Sequence, residues 1–207
     1  MRSALKGKGD AYREQIVSLR RHLHQFPEVS GEEHGTSETV QEKLDEHGIP
    51  FTAGYARTGV LGVVEGGRPG KTVAVRADID ALPIQEENDH SFVSKVDGVM
   101  HACGHDAHTA MLVGAGWLLK DIWEELPGRV LLLFQPAEEV GDGARGMVEA
   151  GLAGINGPRT GSVRIGGVEL VELPLEDLRE EVALVTQEHH VFVGTLADNL
   201  RLARPGA

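Results

Sequence analysis

The stretch RVLLLFQ, residues 129–135, contains five consecutive apolar residues and is followed directly by PAEE. A continuous apolar run of strand length is typical of a β-strand that is covered on both faces. The turn that follows it carries two adjacent carboxylates, Glu138 and Glu139. The stretch therefore predicts a central strand of a layered α/β sheet, with acidic groups just beyond its end.

The residues around this strand predict the other elements of the same sheet. Apolar residues from Tyr12 to Phe26 recur at helical spacing, Asp10 can cap the start of that helix, and Pro27 lies just beyond its end. Further helices are expected at about 35–47, 106–122 and 143–151. The short runs FTAGY, GVLGVVEG and KTVAVRAD, which Gly and Pro separate, are expected to be strands.

Composition argues against several classes of protein. The chain has 207 residues, of which 41% are hydrophobic, enough for an ordinary buried core. Its formal net charge of −12 argues against a nucleic-acid surface. No apolar run reaches signal-peptide or membrane-helix length, so neither a leader nor a membrane span is expected. The single cysteine excludes an internal disulfide and fits a reducing compartment, and a cytoplasmic location is expected.

Residues 100–108, MHACGHDAH, concentrate groups that bind metal ions. Three histidines, one aspartate and the only cysteine fall within this stretch. Imidazole, thiolate and carboxylate are the donors that hold divalent cations in proteins. Cys103 and His105 are one residue apart, and the glycine between them permits a turn from which both could reach one ion.

A simpler interpretation of the same residues is also open. His101 and His108 could be ordinary loop or helix-cap residues, Cys103 a core residue, and the Glu138–Glu139 pair an exposed surface. The remaining histidines are expected to lie on amphipathic helices or in loops and to be exposed: His22, His24, His34, His47, His90, His189 and His190.

The positions of the polar groups favour the metal site. Asp78 and Asp80 follow KTVAVRA, HACGHD precedes a predicted helix, and the Glu138–Glu139 pair follows LLLFQ. In open α/β sheets, functional groups gather beyond the carboxyl ends of the strands, so these groups are expected to form one site. In a metallohydrolase one carboxylate can hold the ion while its neighbour takes a proton from the activated water.

Four successive motifs resemble one known family. They are LRRHLHQFPEVSGEEHGTSETVQEKL, ADIDALPIQEEN, MHACGHDAHTAMLVGAGWLL and GRVLLLFQPAEEVGDGARGMVEAGL. Together they resemble, across residues 12–152, amidohydrolases of the hippurate-hydrolase and indole-acetyl-amino-acid-hydrolase type, which belong to the aminoacylase-like dinuclear metallopeptidases. The resemblance implies cleavage of the amide bond of N-acyl amino acids or similar small substrates.

The same resemblance implies a role for each residue of the predicted site. Cys103, His105 and Glu139 would be metal ligands and Glu138 the general base, whereas Asp80, Asp78 and Asp106 would orient the ligands. One or two divalent ions are implied. Zinc and manganese fit these donors, and cobalt and nickel are also compatible with them.

The C-terminal quarter of the chain resembles a different family. A Gly/Pro-rich junction is expected at 153–161, between a metallo-amidohydrolase domain at 1–152 and a short α+β fragment at 162–207. In this fragment SVRIGGVEL is expected to form a hairpin, PLEDLREE and TLADNLRLA helices, and VALVTQ a strand. Residues 158–207 resemble the Q-loop region of an ABC-transporter ATP-binding domain, with Gln187 in the place of its glutamine. The phosphate-binding pattern G-x-x-x-x-G-K-[ST] does not occur in the chain, so no nucleotide site is expected.

Three functions stay open on the sequence alone. The first is a metal-dependent amidohydrolase with a truncated catalytic domain, because the family's later ligand histidines and its lid or dimerisation domain do not follow GMVEAGL here. The second is a noncatalytic fusion fragment, and the third is part of an ABC-transporter ATP-binding subunit. The expected partner is a small N-acyl amino acid, without nucleic acid or membrane, and the oligomeric state is open.

Overall fold

The computed structural model describes residues 2–150 together with 164–165 and 168–169. The chain divides into two compact units, Met1–Pro158 and Arg159–Ala207, which are described separately. In the first unit, four strands form one open sheet with helices packed against it. This is the α/β sheet with flanking helices that the sequence predicts.

The elements of the first unit follow one another as two helices, three strands, a helix, a strand and a short helix. The helices are α1 (Arg2–Gln25), α2 (His34–Asp45), α3 (His105–Asp121) and α4 (Gly143–Glu149), with a 3₁₀ turn at Trp123–Glu125. The strands are β1 (Phe51–Tyr55), β2 (Gly59–Glu65), β3 (Arg68–Asp78) and β4 (Pro127–Gln135).

Strand β4 is central, as its continuous apolar run predicts. The sheet order is β1-β2-β4-β3, so β4 lies between β2, to which it is antiparallel, and β3, to which it is parallel. Leu132 and Phe134 in β4 are fully buried. The parallel register places Asp78 opposite Gln135, so β3 and β4 end side by side and the segments that follow them leave the sheet at the same edge.

The hydrophobic core joins the sheet to the helices. Leu132, Val40 of α2 and Val113 of α3 are completely buried in one apolar cluster. Trp117 of α3 joins this cluster and donates a hydrogen bond from its indole nitrogen to the carbonyl of Lys43, 2.9 Å away. Because a buried indole needs an acceptor, this bond helps to set the position of α2 on α3.

Helix α1 is longer than its apolar periodicity predicts. It begins at Arg2, and Asp10 is an exposed residue inside the helix rather than its N-terminal cap. The residues before Asp10 include Ala4, Leu5 and two lysines, which favour helix and outweigh the cost of two glycines. The other predicted helices and strands agree with the observed ones to within about two residues at most ends.

The second unit contains one described pair of strands. Strand β5 (Arg164–Ile165) pairs antiparallel with β6 (Val168–Glu169), in agreement with the hairpin that SVRIGGVEL predicts. The helices predicted at PLEDLREE and TLADNLRLA and the strand predicted at VALVTQ, which includes Gln187, lie outside the described residues. Among the helices that the structure describes, none combines the length and the apolar character needed to cross a bilayer.

Candidate metal centre

The three groups of polar residues predicted to form one site do come together. Strands β3 and β4 end side by side, and Ile79 continues the pairing by donating its backbone N–H to the carbonyl of Gln135 at 3.0 Å. Asp80 lies just beyond the end of β3, and the Glu138–Glu139 turn lies just beyond the end of β4. The first turn of α3 brings His105 against both segments.

Asp80 connects these segments through hydrogen bonds. Its Oδ2 accepts from the Ser30 hydroxyl at 2.7 Å and from the backbone N–H of Glu139 at 2.9 Å, while its Oδ1 lies 3.2 Å from His105 Nδ1. Burial of the carboxylate opposes its ionisation, but these hydrogen bonds stabilise the charge and lower the pKa of Asp80. Asp80 is therefore held as an anion in the interior.

His105 has one ring nitrogen occupied and the other open. Nδ1 faces two acceptors, the carbonyl oxygen and the carboxylate of Asp80, at 3.0 and 3.2 Å, so Nδ1 carries a hydrogen. The lone pair of the neutral ring is then on Nε2, which lies 3.9 Å from Glu138, beyond hydrogen-bonding distance. Burial lowers the pKa of His105, but the hydrogen bond to Asp80 and the charges of Asp78 and Asp80 raise it more.

Cys103, His105 and Glu139 can offer donor atoms that all lie within 4.8 Å of one another. Gly104, with φ of +88°, makes the turn between Cys103 and His105 and begins α3, which is the backbone freedom expected of that glycine. Glu139 Oε1 is buried and has no hydrogen-bond partner among the described residues. A buried, unpartnered carboxylate oxygen beside an imidazole and a thiol fits a bound cation, because a cation would satisfy it.

The charges around these donors also favour a bound cation. Partial burial raises the pKa of the Cys103 thiol, and the carboxylates of Glu139, Glu138 and Asp80 raise it further. Partial burial also raises the pKa of Glu138, and repulsion by Asp78 and Glu139 adds to the effect. A concentration of negative charge of this kind is relieved by a cation, which would also favour the thiolate form of the cysteine.

A second group of possible donors shares His105. Asp78, His105 and His108 can offer atoms within 4.8 Å of one another. Asp78 is completely buried, its Oδ2 accepts from Arg76 at 3.0 Å, and its Oδ1 has no hydrogen-bond partner among the described residues. The sequence does not place His108 among the expected ligands and leaves open that it is an ordinary loop or helix-cap residue. Its spacing of three from His105 on one helix is the signal that the two rings could share a face.

Asp106 anchors the start of α3 to α1. It is completely buried, accepts from the backbone N–H of Ala107 at 2.8 Å, and lies 2.8 Å from Arg20 Nε and 2.7 Å from His24 Nδ1. These contacts hold the residue that directly follows His105 and so restrain the first turn of α3.

The expectation that His24 is exposed is wrong. The ring is 3% exposed, and its two nitrogens face Asp106 and Glu86, the latter at 3.2 Å. His47 and His90 are partly buried rather than exposed, whereas His22 and His34 are exposed as predicted. His24 is adjacent to the buried Leu23, so the periodicity of α1 places it at the border of the apolar face. Its contacts with the carboxylates of Asp106 and Glu86 account for its burial. His189 and His190 lie outside the described residues.

Sequence reasoning also missed two residues that touch the site from the loop before α2. Ser30 donates to Asp80, and Glu33, completely buried, accepts from the backbone N–H of Ala137 at 2.8 Å. Neither residue type suggests such a role by itself, because serine and glutamate are common in exposed loops. Only the contact across the fold reveals it.

An imidazole, a thiol and paired carboxylates at the carboxyl edge of an α/β sheet are a donor set that metal-dependent hydrolases use. Residues 74–199 match the profile of Peptidase family M20/M25/M40. The chain belongs to this family.

Individual relatives agree with this assignment. N-acetyl-L-cysteine deacetylase of Bacillus subtilis is 49% identical over 137 residues, which are 66% of this chain and 33% of that protein. IAA-amino acid hydrolase ILR1-like 5 of Arabidopsis thaliana is 50% identical over 145 residues, 70% of this chain and 33% of that protein. A crystal structure of a dinuclear metal-binding peptidase of the M20 family from Bacillus subtilis is 45% identical, with a TM-score of 0.67 over 69% of this chain and 40% of that one.

The chain spans about a third of the length of these curated relatives. The family match continues to residue 199 and so covers most of the segment at 158–207. The resemblance of that segment to an ABC-transporter ATP-binding domain is not supported.

Proposed function

We propose that this chain is a metal-dependent amidohydrolase of the hippurate-hydrolase and indole-acetyl-amino-acid-hydrolase type. Its substrates would be N-acyl amino acids or similar small molecules. The observation that carries the proposal is the convergence of Cys103, His105 and Glu139 around the buried, unpartnered Oε1 of Glu139, with Glu138 beside them. The names of the deacetylase and hydrolase relatives support the same reaction class.

The proposed ligands are Sγ of Cys103, Nε2 of His105 and a carboxylate oxygen of Glu139. Asp80 would hold His105 in the tautomer that leaves Nε2 free to bind, and Asp106 would fix the turn that carries His105. Asp78 either orients these ligands or, with His108, contributes to a second ion that shares His105. Zinc, manganese, cobalt and nickel are all compatible with the donors.

The residues of this chain would divide the hydrolysis between them. When bound, a divalent cation polarises the amide carbonyl and makes water more acidic. Glu138, 34% exposed and not engaged by the buried network, would take a proton from the attacking water as the C–O bond forms. It would then give that proton to the amide nitrogen as the C–N bond breaks, so that water and amide yield a carboxylic acid and an amine.

The remaining assignments belong to the same proposal. A metallo-amidohydrolase domain at 1–152, a junction at 153–161 and a separate segment at 162–207 would make up the chain. The location would be cytoplasmic, which the single cysteine supports.

Metal content per chain tests the proposal. The purified protein is exchanged into metal-free buffer, and its retained metal is measured by elemental analysis beside that of Glu139→Ala. Near-stoichiometric metal that the variant loses is the expected result, followed by release of amine from a panel of N-acetyl, N-benzoyl and indole-acetyl amino acids. No retained metal would contradict the proposal, and metal without hydrolysis would leave a noncatalytic metal-binding chain.

A further inference from the structure

Glu33 is a completely buried carboxylate that reaches away from its own helix. It is the residue before α2, at the position from which a short polar side chain such as Ser, Thr, Asp or Asn commonly caps the first turn, and it makes no such cap. Glu28 accepts from the backbone N–H groups of Gly35 and Thr36 instead, at 2.9 and 2.7 Å. The Glu33 side chain is thereby free for another purpose.

The hydrogen bonds of Glu33 connect three separate segments. Its Oε2 accepts from the Thr58 hydroxyl at 2.7 Å, and its Oε1 accepts from the backbone N–H of Gly31 and from that of Ala137, both at 2.8 Å. Ala137 lies 104 positions away in the sequence and directly precedes Glu138. A buried carboxylate with three donors is well satisfied, and hydrogen bonds to a charged acceptor are stronger than neutral ones.

Ala137 has a backbone conformation that needs such support. Its φ is +50°, in the left-handed region that a residue with a Cβ adopts only at an energetic cost. The turn is also tightly packed, because a Cβ on Gly143 would overlap the carbonyl oxygen of Pro136. The direction in which Glu138 and Glu139 leave β4 depends on this turn.

The two backbone N–H groups that flank Glu138 are both held by buried carboxylates. Asp80 accepts from Glu139 N at 2.9 Å, and Glu33 accepts from Ala137 N at 2.8 Å. Asp80 thus holds the backbone on the C-terminal side of Glu138, and Glu33 holds it on the N-terminal side. Without Glu33, the backbone N–H of Ala137 loses its hydrogen-bond acceptor, and the carbonyl of Ala137 keeps its own bond from Gly143 N at 3.1 Å.

We infer that Glu33 is a positioning residue for the candidate metal centre: it holds the Ala137 turn and so aims Glu138 and Glu139 at the position between Cys103 and His105. Glu33 acts through the backbone and does not itself contact the metal donors. The expected effect of Glu33 on metal affinity rests on the proposed function. Its effect on the conformation of the Ala137 turn does not.

Three variants separate this role from general stability. Glu33→Leu keeps a side chain of similar size but removes the acceptor. Glu33→Gln keeps one carbonyl oxygen for Gly31 and Ala137 and can donate from its amide to the Thr58 hydroxyl, so it is the conservative rescue. Thr58→Val removes one hydrogen bond of Glu33 but leaves the bond to Ala137, so it is the matched control.

Amide hydrogen exchange at Ala137, measured by NMR on the metal-free chain, is the first readout. We expect exchange at least tenfold faster in Glu33→Leu than in the original chain, and within threefold of it in Glu33→Gln and Thr58→Val. The second readout is affinity for Co²⁺, which we expect to fall at least tenfold in Glu33→Leu alone. If Glu33→Leu does not fold, Glu33→Asp, which keeps the charge but has a shorter reach, replaces it.

Unchanged Ala137 exchange in Glu33→Leu, or acceleration no larger than in Thr58→Val, would overturn the inference. Faster exchange with unchanged Co²⁺ affinity would also overturn it, since the turn would then not position the ligands. If even the original chain binds no Co²⁺, the proposed function fails, and the exchange readout alone decides whether Glu33 holds the turn.

Discussion

Asp80 contacts the ring of His105 through both its backbone and its side chain. The carbonyl oxygen lies 3.0 Å and Oδ1 3.2 Å from Nδ1 of the histidine. Both atoms only accept hydrogen bonds, so together they fix the hydrogen on Nδ1 and leave the lone pair on Nε2, the atom proposed to bind the metal ion. The same carboxylate reaches the backbone of Glu139, so Asp80 orders two of the three proposed ligands.

Asp80→Asn should therefore weaken metal binding. The amide keeps the size of the side chain but loses the charge that stabilises the ligand arrangement, and we expect affinity to fall by about 10–100-fold. Titration with Co²⁺ or Zn²⁺ against a competing chelator measures the change. Ser30→Ala is the control, because it removes a hydrogen bond to Oδ2 but leaves His105 in place; an equal loss in both variants would contradict the specific role.

Cys103→Ser should remove a soft ligand from the site. A hydroxyl is a poor substitute for a thiolate on a zinc-like ion, so affinity should fall. In the Co²⁺-loaded chain, the thiolate-to-metal charge-transfer absorption should disappear in this variant and persist in Glu138→Gln. Persistence of that band in Cys103→Ser would remove the cysteine from the ligand set.

Glu138→Gln and Glu139→Gln should separate catalysis from binding. Loss of a general base costs about 10²–10⁴-fold in rate, so Glu138→Gln should lower kcat by that order and keep its metal. Glu139→Gln should lose metal as well as activity. Elemental analysis and amine release on the same preparations provide the comparison, and equal metal loss in both variants would contradict the assigned roles.

Glu86 should stabilise the fold in a pH-dependent manner. Burial opposes its ionisation, but hydrogen bonds from Ser94, Asn88 and His24 lower its pKa from 4.5 to about 2. Because the folded pKa is the lower one, the stabilisation is fully present above pH 4.5 and is lost as the pH falls towards 2.

Urea unfolding of Glu86→Gln and the original chain between pH 7 and pH 2 measures this effect. The difference in the free energy of unfolding should be largest at neutral pH and shrink below pH 4.5. The exposed neighbour Glu87, changed to Gln, is the control and should show a smaller difference. A difference in the free energy of unfolding that stays constant from pH 7 to pH 2 would argue against a lowered pKa of Glu86.

Gly143→Ala and Gly9→Ala should change stability in opposite directions. A Cβ at Gly143 overlaps the carbonyl oxygen of Pro136, so the turn must shift, at a cost of about 1–3 kcal/mol. At Gly9, inside α1, the nearest atom to an added Cβ is Leu118 Cδ1 at 4.0 Å, and alanine should stabilise by about 0.5–1 kcal/mol. Thermal unfolding of both variants tests the pair, and destabilisation of the same size in each would contradict it.

Local patterns were sufficient to predict the sheet and the edge of it at which the candidate metal donors lie. The apolar run at 129–135 predicts a covered strand because burial on both faces removes alternation, and β4 is central. The carboxylates that follow the strands are predicted to lie at one edge of the sheet. There the backbone N–H of Glu139 donates a hydrogen bond to the carboxylate of Asp80. Cys103 and His105 are neighbours in sequence, so their proximity needs no knowledge of the fold.

Contacts between distant segments could not be predicted in the same way. His24 is buried because the carboxylates of Glu86 and Asp106, from separate segments, face its two nitrogens. Glu33 reaches Ala137 across 104 positions, and a glutamate in a polar loop carries no sign of this.

The sequence by itself determined which chemical groups the chain carries and which strand ends present them, because periodicity and spacing are local properties. Only the tertiary structure decided which carboxylate holds which backbone N–H. That choice depends on how the loop before α2 packs against the turn after β4, and therefore on the position of every segment between them.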